Sequence, residues 1–424
     1  MPQISRMLLT AALAVTASAV NATNEPPATL WTRETLLGDL GGVRTRLTEH
    51  GISFIPTYTG EVIYGIMDSP HGSHVVYDHN VNLPLDVDME KLLSWRGATF
   101  HANAYWLAGR SLTEDCIGDL ANVSNISAYR TFRLQELWLQ QTFWKDRASI
   151  KIGSVAVDTE FFAASSSALF INSSFGTFSL IAANLPNPPI YPVAAPAVRL
   201  AVQLHPRVNF QIGIFDGDSG AQDVNKNGAD FHLAAGDGAL IFSELGFNLH
   251  PATAGEKSLA GILKIGSFVH TKRITTWQNQ LDGSTGGGSY NYGIYGVAEH
   301  DLFKRDGKRV TAFLRGGGAP GNRNVIGWYC DVGVNATGLL PGRTDDVAGI
   351  AFARSSFSRS FSDYQQTTEG TRAFDSEMVI EATYKAQITP WWMVQPDLQF
   401  ILTPGGERNC DNAIVLGLRT SVSF

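Results

Sequence analysis

Glu61, Asp86, Asp88, Arg133, Arg199, Glu244, Lys264, Arg315, Glu381, Lys385, Asp397 and Arg419 share a placement. Each falls on the polar side of a segment that alternates with a period of two. Asp158 and Glu160 follow at the start of the longest link between such segments. Carboxylates, ammonium and guanidinium groups of mixed sign form charge-assisted hydrogen bonds. Their mixture also avoids the single-sign field that would select ions. Weak binding at many places suits a passing polar solute better than a reaction. The bland alternative for each residue is a solvated wall position, so the set carries more weight than any member.

Other spacings lead less far. His71, His74 and His79 with Asp78 look like metal ligands, but a solvated loop tip explains them far better. Gly316–Gly321 follows an extended segment and opens no helix, so it lacks the context of a phosphate cradle. Asp223, Asn225 and Asn227 match the first half of a calcium loop, but its twelfth position is Ala234 rather than Glu. A weak external Ca2+ site and a plain Asn/Asp/Gly turn both remain open there. No other cofactor is expected. No Ser-His-Asp arrangement can be argued from spacing, so the chain is not read as an enzyme. Cys116, Cys330 and Cys410 are an odd set that permits one disulfide in an exported protein.

The segments that must hold these charges are strands. From Asn412 to Phe424 the side chains alternate. Ile414, Leu416, Leu418, Thr420, Val422 and Phe424 take one face, while Val415, Gly417, Arg419, Ser421 and Ser423 take the other. Val81–Met89, Phe100–Trp106, Met378–Ala386 and Val394–Leu402 behave likewise. Sixteen strands are predicted near 54–66, 80–90, 97–108, 131–143, 148–155, 197–204, 208–215, 239–249, 258–270, 290–299, 309–316, 327–337, 346–355, 377–388, 392–402 and 412–424. Tight links such as Asp146–Arg147 alternate with long ones at 156–196, 216–238 and 356–376. Short turns at one end and long loops at the other, with an even strand count and a terminal aromatic, describe an outer-membrane barrel. In the strand at 131–143, Arg133, Gln135 and Gln141 share a face with Leu137 and Leu139, which predicts a bulge. Trp95, Trp144, Trp328, Trp391 and Trp392 fall near strand ends, where interfacial girdles sit.

The bulk properties agree. Hydrophobic residues make up 44% and mean hydropathy is -0.03, as expected when strands are apolar on one face only. The net charge of -7 argues against a nucleic-acid partner. Residues 1–22 read as a secretory signal, cut after Ala19 or Ala22. Residues 23–53 read as a Pro-rich tether and a short helix, Leu36 to Gly51, with Asp39 as N-cap and Gly51 as stop. The barrel then occupies 54–424. The 156–196 link carries little charge after Glu160 and is rich in Phe, Ala, Ser, Asn and Pro. A segment this apolar is expected to fold inside the wall rather than extend into water.

The chain resembles the OprB-type carbohydrate-selective porins. The carrying segments are Gly38–Arg44, Leu134–Trp138, Asp158–Phe161, Leu339–Asp346, Trp391–Gln399 and Gly417–Arg419. They occur in order along the mature chain, with Leu40 where the family usually has Trp. The resemblance implies an all-β, transmembrane antiparallel barrel of sixteen strands with a short N-terminal helix and a long infolded constriction loop. It implies passive uptake of carbohydrates such as glucose across a bacterial outer membrane. Glu136, in the second of these segments, joins the pore-lining candidates. A sugar offers hydroxyls and apolar ring faces, which suit charged side chains and aromatics. Expected partners are sugars, outer-membrane lipid and the assembly machinery that reads the strand ending in Phe424. The alternatives are a general or ion-selective porin, a barrel enzyme of the outer membrane, and a secreted glycan-binding β-protein.

Overall fold

The computed structural model describes residues 29–67, 73–221, 224–231, 233–249, 259–284, 288–370, 374–408 and 410–424. The signal segment 1–22, most of the tether, His71 and Asp223 lie outside the described residues. Sixteen antiparallel strands close into one barrel. They are β1 Thr57–Met67, β2 His74–Asp88, β3 Ala98–Gly109, β4 Thr131–Phe143, β5 Ala148–Val155, β6 Ala195–His205, β7 Val208–Asp216 and β8 Ala239–Asn248. There follow β9 Gly261–Ile274, β10 Ser289–Arg305, β11 Lys308–Gly318, β12 Ile326–Thr337, β13 Val347–Phe357, β14 Ser376–Thr389, β15 Trp392–Leu402 and β16 Ala413–Ser423. Each pairs with its sequence neighbours, and β16 returns to β1 from Ala413↔Met67 to Ser423↔Thr57. A short segment, Ile52–Phe54, continues β1 beyond Pro56 and pairs with Leu85–Val87 of β2.

The alternation read from sequence becomes the two sides of this wall. In β9 and β10, Ile265 is 58% exposed and Ile294 67%, whereas Phe268 is 0% and Val297 1%. Exposed apolar residues on the outside of a closed cylinder face lipid. Inward positions carry the polar set and a row of aromatics. The predicted bulge is present: the β3–β4 register shifts between Asn103 and Ala104, opposite Glu136 and Leu134. The shift puts Arg133 and Glu136 on the same side of the wall, although their spacing is odd. Asp306 and Gly307, both at positive φ, close the tight β10–β11 hairpin.

Several expectations shift. The N-terminal helix α1 is Val43–Glu49 rather than Leu36–Gly51, because Leu40, Gly41 and Gly42 all adopt positive φ and cannot be helical. Asp39 still serves the helix, accepting from the Thr45 N–H at 2.8 Å. β2 begins at His74, six residues earlier than predicted, so His74, Asp78 and His79 belong to a strand and not to a loop tip. Asp88 ends β2 by capping helix α2 (Met89–Leu93), accepting from the Glu90 and Lys91 N–H groups. No disulfide joins Cys116, Cys330 and Cys410. Cys330 lies within β12, and the Cys116 sulfur faces that of Met67 at 3.8 Å.

The backbone of β5 approaches β4 closely at Gly153. Its φ is +146, and a Cβ there would stand 2.1 Å from the Leu137 carbonyl oxygen. Gly153→Val is therefore expected to block closure of this seam. The loss would appear as a missing compact band on unboiled gels, and a wild-type band would refute it.

Candidate functional site: the inner wall and its infolded loops

The loop at 156–194 leaves the end of β5 and turns inward. Phe161, Phe162, Phe170, Phe175, Phe178, Leu180 and Ile181 are all fully buried. They pack against one inward aromatic from each of six successive strands: Phe215, Phe242, Phe268, Tyr295, Phe313 and Tyr329. Representative ring distances are 5.3 Å for Phe161–Phe242 and 5.1 Å for Phe178–Tyr329. Burying an aromatic side chain contributes about 1.5–3 kcal/mol, so this apolar contact holds the loop against β7–β12.

Directional contacts then fix where the loop sits. Glu136 accepts from the Ala156 N–H at 2.9 Å and the Thr159 hydroxyl at 3.2 Å. Glu244 accepts from the Phe162 N–H at 2.8 Å, and Glu299 from the Ser166 N–H at 2.7 Å. Glu381 accepts from the Ile171 N–H at 2.5 Å and the Asn172 N–H at 2.9 Å. Cations take the carbonyls and the loop's own carboxylate. Lys264 donates to the Ala163 carbonyl at 2.8 Å, and Arg315 to the Phe175 carbonyl at 2.7 Å. Glu160 is held between Lys151 and Arg199, the latter at 2.8 Å. The preceding loop, 110–130, is fastened the same way. Glu377 accepts from the N–H groups of Leu120 at 2.6 Å and Ala121 at 3.0 Å. Inward glutamates on β4, β8, β10 and β14 thus hold backbone donors that a buried loop would otherwise leave unpaired.

The opposite part of the inner wall, β1–β4 with β14–β16, carries polar side chains beside a small apolar cluster of Ile63, Val76, Ile401 and Val415 packed on Leu112 and Val123. Glu61 pairs with Arg419, which also donates to Asn125 at 2.6 Å. Glu61, Asp397 and Arg419 line one recess with Ile171 and Gln399. Three tyrosines gather beside them. Tyr191 donates to the Ile126 carbonyl at 2.9 Å and receives the Asn80 amide at 3.2 Å. Tyr105 lies 5.4 Å from the Tyr191 ring, and the Arg133 guanidinium stands 5.8 Å from the Tyr129 ring and donates to its hydroxyl. Nearer the turn end, Asp86 bonds His101 at 2.7 Å, and His101 stacks on Trp138 at 4.7 Å.

The predicted residues thus divide. Glu136, Arg199, Glu244, Lys264, Arg315 and Glu381 contact the infolded loop, to which Asp158 and Glu160 belong. Glu61, Asp86, Arg133, Asp397 and Arg419 stand on the polar wall with half-buried Lys385, and Asp88 caps α2 at the turn end. Asn225 exchanges hydrogen bonds with the Asp230 backbone, and the Asn227 carbonyl accepts from the Leu134 N–H at 2.9 Å. Among the described residues no group of three or more His, Cys, Asp or Glu could hold a metal. Sequence reasoning missed Glu299, Asp331 and Glu377, although their inward parity was visible. It also missed Tyr105, Tyr129, Tyr191 and Asn125, the last three of which lie on strand-free loops where parity gives no signal.

Asp158 in the long loop accepts from the Tyr191 N–H at 2.9 Å and the Thr177 hydroxyl at 3.2 Å. Burial pushes its carboxyl up to about 6, with the Tyr191 N–H pulling in the opposite direction. The folded form therefore binds the proton more tightly than the unfolded chain, whose carboxyl ionises near 3.8. Its contribution to stability is present below that value and is lost as pH rises through about 6. Loop 156–194 is expected to become more protease-sensitive between pH 5 and 7, and Asp158→Asn to abolish that trend. A pH-independent cleavage rate in the wild type would refute this.

A closed strand barrel with a lipid-facing exterior, a polar inner wall and loops fastened inside it defines an outer-membrane porin. The carbohydrate-selective porin model of the OprB family matches residues 74–424, and the chain belongs to that family. It is 26% identical to Porin B of Pseudomonas aeruginosa over 92% of this chain and 91% of that one. It is 21% identical to the putative porin QuiX of Acinetobacter baylyi over 92% and 93% of the two chains. The high-pH structure of Pseudomonas putida OprB superposes with a TM-score of 0.82 at 23% identity. It covers 93% of this chain and 99% of its own. That likeness confirms the fold.

Proposed function

We propose that the chain is a passive, selective diffusion channel for carbohydrates of monosaccharide size, glucose among them. One observation carries the reading. Loops 110–130 and 156–194 are fastened to the inner wall and bring Tyr129 against Arg133, Tyr191 against Tyr105 and Asn125 against Arg419. Aromatic faces suit sugar rings, and guanidinium and carboxylate groups suit hydroxyls. Passage by diffusion involves no catalytic step and no resident cofactor. The strand ending in Phe424 is the segment the assembly machinery would read. Calcium at Asp223, Asn225 and Asn227 is a separate proposal, and a calcium titration that releases no heat refutes it.

The test is liposome swelling with sugars of graded size and amino acids of matched size. Monosaccharides are expected to enter faster than the matched amino acids, with a sharp fall at disaccharides. Equal swelling for every solute of one size would identify a general porin instead.

A further inference from the structure

On the outside of the barrel, at the loop end of β9–β13, three arginines lie against outward aromatic rings. Arg273 of β9 stands 5.3 Å from the Tyr290 ring. Arg323, in the β11–β12 link, stands 5.8 Å from the Tyr292 ring and donates to the Tyr290 carbonyl at 2.9 Å. Arg354 of β13 stands 5.2 Å from the Trp328 ring. All three rings are exposed. The observed ion pairs use other cations, so none of these guanidinium groups has a carboxylate partner among the described residues. The Arg354 Nε is buried with no acceptor at all.

Their depth matters. Tyr292, Trp328 and Arg354 each lie within three residues of the loop end of their strands. At about 3.3 Å per residue this is within roughly 10 Å of the barrel rim. An unpaired arginine on the lipid face is strongly disfavoured at the midplane and close to neutral near an interface. The placement is therefore tolerable only at headgroup level, and it becomes favourable when an anion is present there. The guanidinium fork matches a phosphate in two parallel hydrogen bonds, and the ring beneath stabilises the cation from the other side. From β9 to β13 the belt spans four strand spacings, about 19 Å. That width faces one or two lipid headgroups, not a small ion.

We propose that Arg273, Arg323 and Arg354, backed by Tyr290, Tyr292 and Trp328, form a binding belt for the phosphorylated headgroup of an outer-leaflet glycolipid. The belt rests on the outer-membrane placement alone and does not depend on which solute passes through the lumen.

The test uses the full barrel in non-ionic detergent, mixed with lipid A, with phosphatase-treated lipid A, or with inorganic phosphate, and bound lipid is counted by native mass spectrometry. Wild type is expected to retain lipid A. The variant Arg273→Gln/Arg323→Gln/Arg354→Gln should retain it about tenfold less, equivalent to roughly 1.4 kcal/mol. Dephosphorylated lipid should bind wild type and variant alike. Equal retention of lipid A by the two proteins overturns the proposal, as does wild type retaining the dephosphorylated lipid as well as it retains lipid A. Displacement of lipid A by an equal concentration of inorganic phosphate would assign the site to a free anion and overturn the lipid assignment. Gel mobility before and after boiling establishes that the variant is folded. If it is not, Arg273→Gln and Arg323→Gln are measured singly, and undiminished retention in both refutes the belt.

Discussion

Liposomes carrying Glu381→Ala are expected to swell several-fold faster in a disaccharide than wild-type liposomes. Glu381 is fully buried, and its two oxygens take the N–H groups of Ile171 and Asn172. Alanine leaves both donors unpaired inside the barrel, at about 1–3 kcal/mol for each. The cheapest relief is for that part of the loop to leave the wall and reach water. The aromatic contacts of Phe161, Phe162 and Phe178 lie further round the barrel, so the loop is displaced and not released. Glu381→Gln keeps one acceptor oxygen and should give an intermediate rate. Unchanged size exclusion in the alanine variant would show that these hydrogen bonds do not set the loop's position.

The largest loss of stability is expected at Asp331. Asp331 is 0% exposed and Arg315 1%, and they are joined in a buried ion pair. Arg315 also donates to the Phe175 carbonyl at 2.7 Å and the Gly176 carbonyl at 3.2 Å, so it links β11, β12 and the infolded loop. Removing the carboxylate strands a guanidinium in a dry site. Asp331→Ala should cost about 3–5 kcal/mol, whereas Arg315→Met/Asp331→Leu should cost much less, because no buried charge remains. The temperature at which the compact gel band is lost would measure both. A double variant no more stable than Asp331→Ala would contradict the electrostatic account.

The strands were largely legible in the sequence because alternation is a local property. Ile414, Leu416 and Leu418 declare their face without knowledge of any partner, and the break in rhythm at Gln135 declared a bulge. The start of β2 was hidden, since His74, Asp78 and His79 look like loop residues when read by type. The helix α1 was overextended because Leu40, Gly41 and Gly42 give no apolar interruption, only a backbone one. The site was half visible. Parity placed Glu244, Lys264, Arg315 and Glu381 on the inner wall, but their loop partners are backbone groups, which have no sequence signature. Tyr129 and Tyr191 reach the polar wall through loop conformations that no periodicity encodes.

The seam between β16 and β1 has a consequence for how the molecule is made. Glu61 and Arg419, bonded across it, are 358 residues apart in sequence. Every intermediate length of nascent polypeptide is therefore an open ribbon with two bare edges, and bare edges aggregate. No cooperative ring exists until β16 has been made and has found β1. Pairings of such long range form slowly, because chain entropy must be lost before they return anything. The unfinished ribbon must consequently be kept soluble and apart from its copies for the whole interval, which makes an escort in transit a requirement of the topology itself.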